Sequence, residues 1–200
     1  MRLPPEEMRA ALANADVPLR YQNCRLDNFV ADTESLKSAL SQTEQLAGAR
    51  IPRSLFLFGP PGRGKTHLGV AVLAEFLARG ARGAFVSAIS YALQVQKAFG
   101  DPSTIVGDFL ELYSFLLIDD LGAEKTTESS AQAIFFLVNE FYTRNRKLII
   151  TSNKSPKDLY HDDPRIMSRL FEMCELVELR GDDFRVRKAQ KLRDTQTPQL

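Results

Sequence analysis

Residues 55–66 read Leu55-Phe56-Leu57-Phe58-Gly59-Pro60-Pro61-Gly62-Arg63-Gly64-Lys65-Thr66. An apolar run leads into a glycine-rich octet of the form G-x-x-x-x-G-K-T, and Thr66 opens a helical pattern reaching Arg79. Each residue type in the octet has a chemical reason. Glycines let a loop turn its backbone N–H groups toward phosphates where side chains would clash. The helix behind the loop presents its positive N-terminal end to the same anion. A lysine at Lys65 reaches the outer phosphates, and a hydroxyl at Thr66 suits Mg²⁺. The stretch Gly59, Pro60, Pro61, Gly62, Arg63, Gly64, Lys65 and Thr66 is therefore expected to hold ATP with Mg²⁺.

Further along the chain, Phe115-Leu116-Leu117-Ile118-Asp119-Asp120 is a buried-strand pattern ending in two acids. In a parallel sheet the carboxyl ends of the strands carry the ligand crevice. Asp119 is read as the Mg²⁺ acid, and Asp120 as the residue that orients and polarises the attacking water. Leu148-Ile149-Ile150-Thr151-Ser152-Asn153 is a third buried strand ending in small polar residues. Asn153 is either a partner for that water or an ordinary turn-forming asparagine.

These strands belong to a series. Ser54–Phe58, Ala84–Ser87, Phe115–Asp119, Leu148–Ser152 and Glu175–Leu179 are apolar runs separated by helical patterns, including Ser129–Arg144. Alternation of this kind predicts an α/β fold with a five-stranded parallel sheet flanked by helices. A further helix is expected from about Asp32 to Ala47, capped by Asp32 or Thr33. The boundaries read as a lead-in over 1–25, one ATPase domain over 26–194 and a fraying tail over 195–200.

Bulk composition narrows the classes. The chain has 200 residues, 44% hydrophobic and 26% charged, with a net charge of +1. That suits one globular domain without a global basic field. Cys24 and Cys174 lie far apart with no metal-ligand spacing, so reduced, buried thiols are expected. There is no secretory signal around Pro4-Pro5-Glu6-Glu7 and no membrane-length apolar run, which predicts a cytoplasmic location.

In this order the three elements resemble the AAA+ ATPases. They are most similar to the bacterial replicative-helicase loaders of the DnaC/DnaI type and the related IstB transposition ATPases. The resemblance covers about residues 18–190. It rests on Pro18-Leu19-Arg20-Tyr21, Cys24, Leu26-Asp27-Asn28-Phe29, Gly64-Lys65-Thr66-His67-Leu68, Leu117-Ile118-Asp119-Asp120-Leu121-Gly122-Ala123-Glu124 and Thr151-Ser152-Asn153. Arg165-Ile166-Met167-Ser168-Arg169-Leu170 and Asp183-Phe184-Arg185 extend it. The resemblance implies that His67 completes the nucleotide loop and that Asn153 is the sensor-1 residue. It implies that Arg169 is an arginine finger for a neighbouring subunit, the other reading being an ion pair with Glu172 or Glu175. Arg185 would be sensor 2 within a short C-terminal lid, and Phe29 and Val30 either flank the adenine or pack in the core.

Two departures stand out. AAA+ enzymes usually carry Glu where Asp120 stands, and the shorter side chain points to slow hydrolysis. Loaders carry an N-terminal helicase-binding domain, and few residues precede Leu26 here. A replicative DNA helicase and single-stranded DNA are thus partners implied by the core alone, together with ATP-dependent self-association. For DNA, Tyr91, Lys97 and Phe99 offer stacking and phosphate contact, the aromatics suiting the core equally. Arg185, Arg187, Lys188, Lys191 and Arg193 form a basic stretch or a solvated helix face. The alternatives are an IstB-type transposition helper and a nucleotide-switched interaction module with little hydrolysis.

Overall fold

The computed structural model describes residues 3–48, 53–98, 101–123, 127–187 and 190. Among them, β1 (Ser54–Phe58), β2 (Gly83–Ser87), β3 (Phe115–Asp119), β4 (Lys147–Ser152) and β5 (Cys174–Glu178) form one parallel sheet. The spatial order is β2-β3-β4-β1-β5. The helices are α1 (Pro5–Asn14), α2 (Glu34–Gly48), α3 (Lys65–Ala78), α4 (Ala88–Lys97), α5 (Ser103–Leu112), α6 (Glu128–Thr143), α7 (Pro156–Asp162) and α8 (Pro164–Met173).

The strands are apolar almost throughout because both faces are covered. Successive side chains alternate between faces. Leu55, Leu57, Leu117 and Ile149 pack with α1, α2 and α3, while Phe56, Leu116, Ile118, Leu148 and Ile150 pack with α4, α5, α6 and α8. α6 follows the helical spacing of its buried Ile134, Leu137, Val138 and Phe141. It starts at a reciprocal cap in which Thr127 Oγ1 accepts from Ser130 N and Ser130 Oγ accepts from Thr127 N. α2 is capped by Thr33, whose hydroxyl accepts from Leu36 N at 3.2 Å.

The residues before β1 add to the core. Pro5 starts α1, a position where its missing N–H costs nothing. Met8, Leu12, Ala15, Val17 and Cys24 join the cluster behind α3. The Ala15 carbonyl also accepts from Phe85 N at 2.7 Å, fastening this segment to β2. Cys24 and Cys174 are free and buried, and burial pushes their thiols up to about 11 and about 12. No helix among the described residues is long and apolar enough to cross a membrane.

Candidate nucleotide-binding site

The loop between β1 and α3 takes its shape from its glycines. Gly59, Gly62 and Gly64 all have positive φ, at 135°, 75° and 87°. A Cβ at Gly59 would fall on the carbonyl oxygen of Leu179, and one at Gly64 would press into the Phe29 ring. Gly64 is also the N-cap of α3 and has no side chain to cap it. The first N–H groups of that helix have no partner inside it, so they face the loop.

Lys65 opens α3 and is only 5% exposed. Its Nζ donates to the carbonyls of Gly59 and Pro60 at 2.7 and 2.8 Å. Burial lowers its ammonium to about 8; the charges of Arg185 and Arg63 push the same way, against Asp120 and Asp119. Arg63 folds back onto the Pro61 carbonyl at 2.8 Å.

Both acids lie at the carboxyl end of β3, which β4 separates from β1. Asp119 closes β3, is 6% exposed, and accepts the Thr151 hydroxyl on Oδ1 at 2.6 Å. Burial raises its carboxyl above the ordinary range, and the nearby Asp120 charge adds to this. The Thr151 and Thr66 hydroxyls and Lys65 oppose it. Asp120 stands in the left-handed region at φ 56°. Its N–H donates to Thr151 Oγ1 at 2.9 Å, and Asn153 Nδ2 donates to its Oδ1 at 3.2 Å. Leu121 N to Thr151 O, at 2.8 Å, and Ser152 Oγ to Leu121 O, at 2.6 Å, tie the two strand ends together.

Two flanking segments close on the loop. From the N-terminal side, His67 Nε2 faces the Arg25 carbonyl at 2.9 Å, and Phe29 meets the His67 ring edge-on at 5.3 Å. Val30 is 53% exposed. From the C-terminal side, Phe184 N donates to Gly62 O at 3.0 Å. The Asp183 carboxylate lies against Gly62 and caps a helical turn over 184–187. That turn brings Arg185 near enough to act on Lys65. Arg187 pairs with Asp32, so it is not part of a free basic face. Lys188, Lys191 and Arg193 lie outside the described residues, as do Glu124 and Phe99.

Arg169 is held elsewhere. On α8, its Nε donates to Asn139 Oδ1 at 3.0 Å and its Nη1 to the Arg165 carbonyl at 2.9 Å. The guanidinium lies 4.8 Å from the Phe135 ring centre. Glu172 instead accepts the Tyr142 hydroxyl, and Glu175 pairs with Arg53. The ion-pair alternative for Arg169 therefore gives way to an amide, a carbonyl and aromatic faces. Of its two expected places, base stacking or the core, Tyr91 takes the core. It is fully buried and donates to Ala133 O at 3.1 Å, because α6 packs over α4. Lys97 is exposed.

Thr151, Asp183 and Phe184 also border the loop and acids, without a role of their own in the sequence. Their sequence signal is membership of the Thr151-Ser152-Asn153 and Asp183-Phe184-Arg185 stretches. The donor set suits Mg-ATP: a glycine cradle at a helix start, a lysine, and hard oxygens from Thr66 and Asp119.

A parallel sheet in this order, with a glycine loop between β1 and α3 and paired acids after β3, defines a P-loop NTPase of the AAA+ class. The chain belongs to the family of IstB-like ATP binding proteins, whose sequence profile matches residues 19–192. It is similar in structure to the DnaC helicase loader, with a TM-score of 0.73 and 27% identity, over 82% of this chain and 100% of that one. A replication initiator DnaA bound to AMPPCP and single-stranded DNA shares the fold, with a TM-score of 0.64 and 24% identity, over 92% of this chain and 57% of that one. The chromosomal replication initiator protein DnaA of Spiroplasma citri is 28% identical over 173 residues, 82% of this chain and 38% of that protein. The chain spans about two fifths of the length of such curated relatives.

Proposed function

We propose that this chain is an ATP-hydrolysing, loader-like DNA-replication factor of the cytoplasm. In this reading it assembles on single-stranded DNA and engages a replicative helicase. One observation carries the nucleotide half. Lys65 and Thr66 meet Asp119 and Asp120 at one edge of the sheet, with Thr151 and Asn153 bonded to the acids.

The roles follow from the chemistry of each group. The loop N–H groups and Lys65 bind the phosphates. Thr66 and Asp119 hold Mg²⁺, which supplies positive charge against the phosphate oxygens when bound. Asp120 orients a water and accepts its proton, and Asn153 fixes the carboxylate that does so. The Asp120 carboxylate is one methylene shorter than the Glu of most relatives in its class, which supports slow turnover. Arg185 adds positive charge from within the chain. The side-chain bonds of Arg169 run to α6 and α8 rather than to the loop, which supports a role at the loop of a neighbouring copy.

The match to IstB-like proteins favours a second reading, a transposition helper that acts on duplex DNA with a transposase. ATPase activity measured over a range of protein concentrations, with single-stranded and with duplex DNA, separates the two. The loader-like reading expects turnover to rise with protein concentration and with single strands. Stimulation by duplex alone favours the helper. Nucleotide binding with flat, negligible turnover leaves a nucleotide-switched interaction module.

A further inference from the structure

Thr151 is fully buried at the end of β4, beside the last residue of β3. Its hydroxyl has one proton to donate and lone pairs to accept with. The proton goes to Asp119 Oδ1 at 2.6 Å, and a lone pair receives the Asp120 N–H at 2.9 Å. One oxygen atom thus touches the side chain of the first acid and the backbone of the second. The first contact orients the Asp119 carboxylate. The second sits at the point where the chain turns left-handed, at φ 56°, and that turn sets where the Asp120 carboxylate points.

The side chain is itself held in place. A Cβ at Gly69 would come within 3.3 Å of Thr151 Cγ2, so the γ-methyl lies close under α3. A threonine has restricted χ1 freedom, and a methyl wedged against a helix restricts it further. α3 carries Lys65 and Thr66 at its start, so the helix that bears the loop residues also aims the Thr151 hydroxyl.

We infer that Thr151 is a positioning residue that sets the metal-holding carboxylate and the water-orienting carboxylate together. This rests on the Mg-ATP reading above. Valine at this place keeps the shape and removes the hydroxyl. Asp119 then loses a donor, and the Asp120 N–H loses its acceptor. Serine keeps the hydroxyl but loses the methyl that aims it.

The test is equilibrium binding of a fluorescent ATP analogue at graded MgCl₂, with an EDTA reference, for wild type, Thr151→Val, Thr151→Ser and Asp119→Asn. Thr151→Val should raise the half-saturating Mg²⁺ about 10-fold or more, the range found for residues that orient metal ligands. Binding in EDTA should stay at the wild-type level. Thr151→Ser should fall between wild type and the valine variant. Adding Thr151→Val to Asp119→Asn should shift the Mg²⁺ dependence no further. Turnover at saturating Mg²⁺ should stay depressed in the valine variant with KM for ATP near wild type, because Asp120 is misaimed. Far-UV circular dichroism checks folding, and Thr151→Ala removes the same hydroxyl should valine prevent it. A folded variant without the hydroxyl that matches wild type in Mg²⁺ dependence and turnover overturns the inference. So does an equal loss of binding in EDTA, which marks general damage to the site. If wild type itself binds the nucleotide with no response to Mg²⁺, the Mg-ATP reading fails instead.

Discussion

At the carboxyl edge of the sheet, polar side chains from several elements converge and satisfy one another. Lys65 caps the carbonyls of its own loop, and Thr151 bridges two acids. Asn153 fixes one of them; the Arg185 charge, on the C-terminal turn, works instead against the Lys65 ammonium. The face made by α6 and α8 is organised differently. Arg169 lies there over the Phe135 ring and bonds Asn139 and the Arg165 carbonyl, neither of which belongs to the loop. The first region gathers a glycine loop, a lysine and two acids from one chain. The second holds a cation with no phosphate loop of its own. The contrast teaches that substitutions in the two regions should fail in different ways.

The largest expected effect is on the second region. Arg169→Ala should lower DNA-stimulated hydrolysis about 10³- to 10⁵-fold, as removal of arginine fingers does elsewhere. ATP affinity should not change, as filter binding will check. Mixing Arg169→Ala with Lys65→Ala should restore part of the activity, because each copy supplies what its neighbour lacks. No recovery on mixing would place both residues in one chain's site and break the comparison.

Asp120→Asn comes next. Loss of a positioned base costs about 10²–10⁴-fold in rate. Turnover should fall in that range while nucleotide binding persists, and mixing with Arg169→Ala should rescue it too.

Smaller pH effects come from two groups of the first region, Lys65 and His67. Burial holds Lys65 near 8, below the ordinary lysine range. A phosphate beside it favours the charged form, so binding takes up a proton once the amine is partly neutral. Affinity should fall as pH rises beyond about 8, by at most about tenfold per unit for one proton. Calorimetry in buffers of different ionisation enthalpy reads the uptake. By the same shift the fold gains stability from about 8 up to 10.5, where the unfolded chain keeps the proton that the folded chain has lost.

His67 gives the smallest effect. Burial holds its ring below the ordinary value of 6.5, so the unfolded chain binds a proton near that pH that the folded chain refuses. Stability should fall as pH drops through this window. Thermal melts of His67→Gln, compared with wild type between pH 5 and 7.5, should show a flatter acid slope.

Legibility in the sequence followed the range of the interaction. Gly59, Gly62, Gly64, Lys65 and Thr66 were legible one by one, because each answers a local demand for backbone freedom, a cation or a hydroxyl. The strands were legible as apolar runs, their ends moving by a residue or so; β4 starts at Lys147 rather than Leu148. What depends on distant partners was not legible. Tyr91 carries no mark of the α6 carbonyl that buries its hydroxyl. Nor does Arg187 announce Asp32, which lies near the other end of the chain. α1 buries only Met8 and Leu12, too weak a stripe to separate it from a polar lead-in. Thr151 reads as one of the small polar residues that end a strand, and its bridge to both acids shows only with β3 beside it.

The most direct test of the account is calorimetric titration of Mg-ATP into wild type and Lys65→Ala. Wild type should show one saturable site per chain. In the variant, affinity should be weaker by about 10- to 100-fold, the worth of a charge-assisted hydrogen bond. No binding by wild type, or equal binding by both proteins, would contradict it.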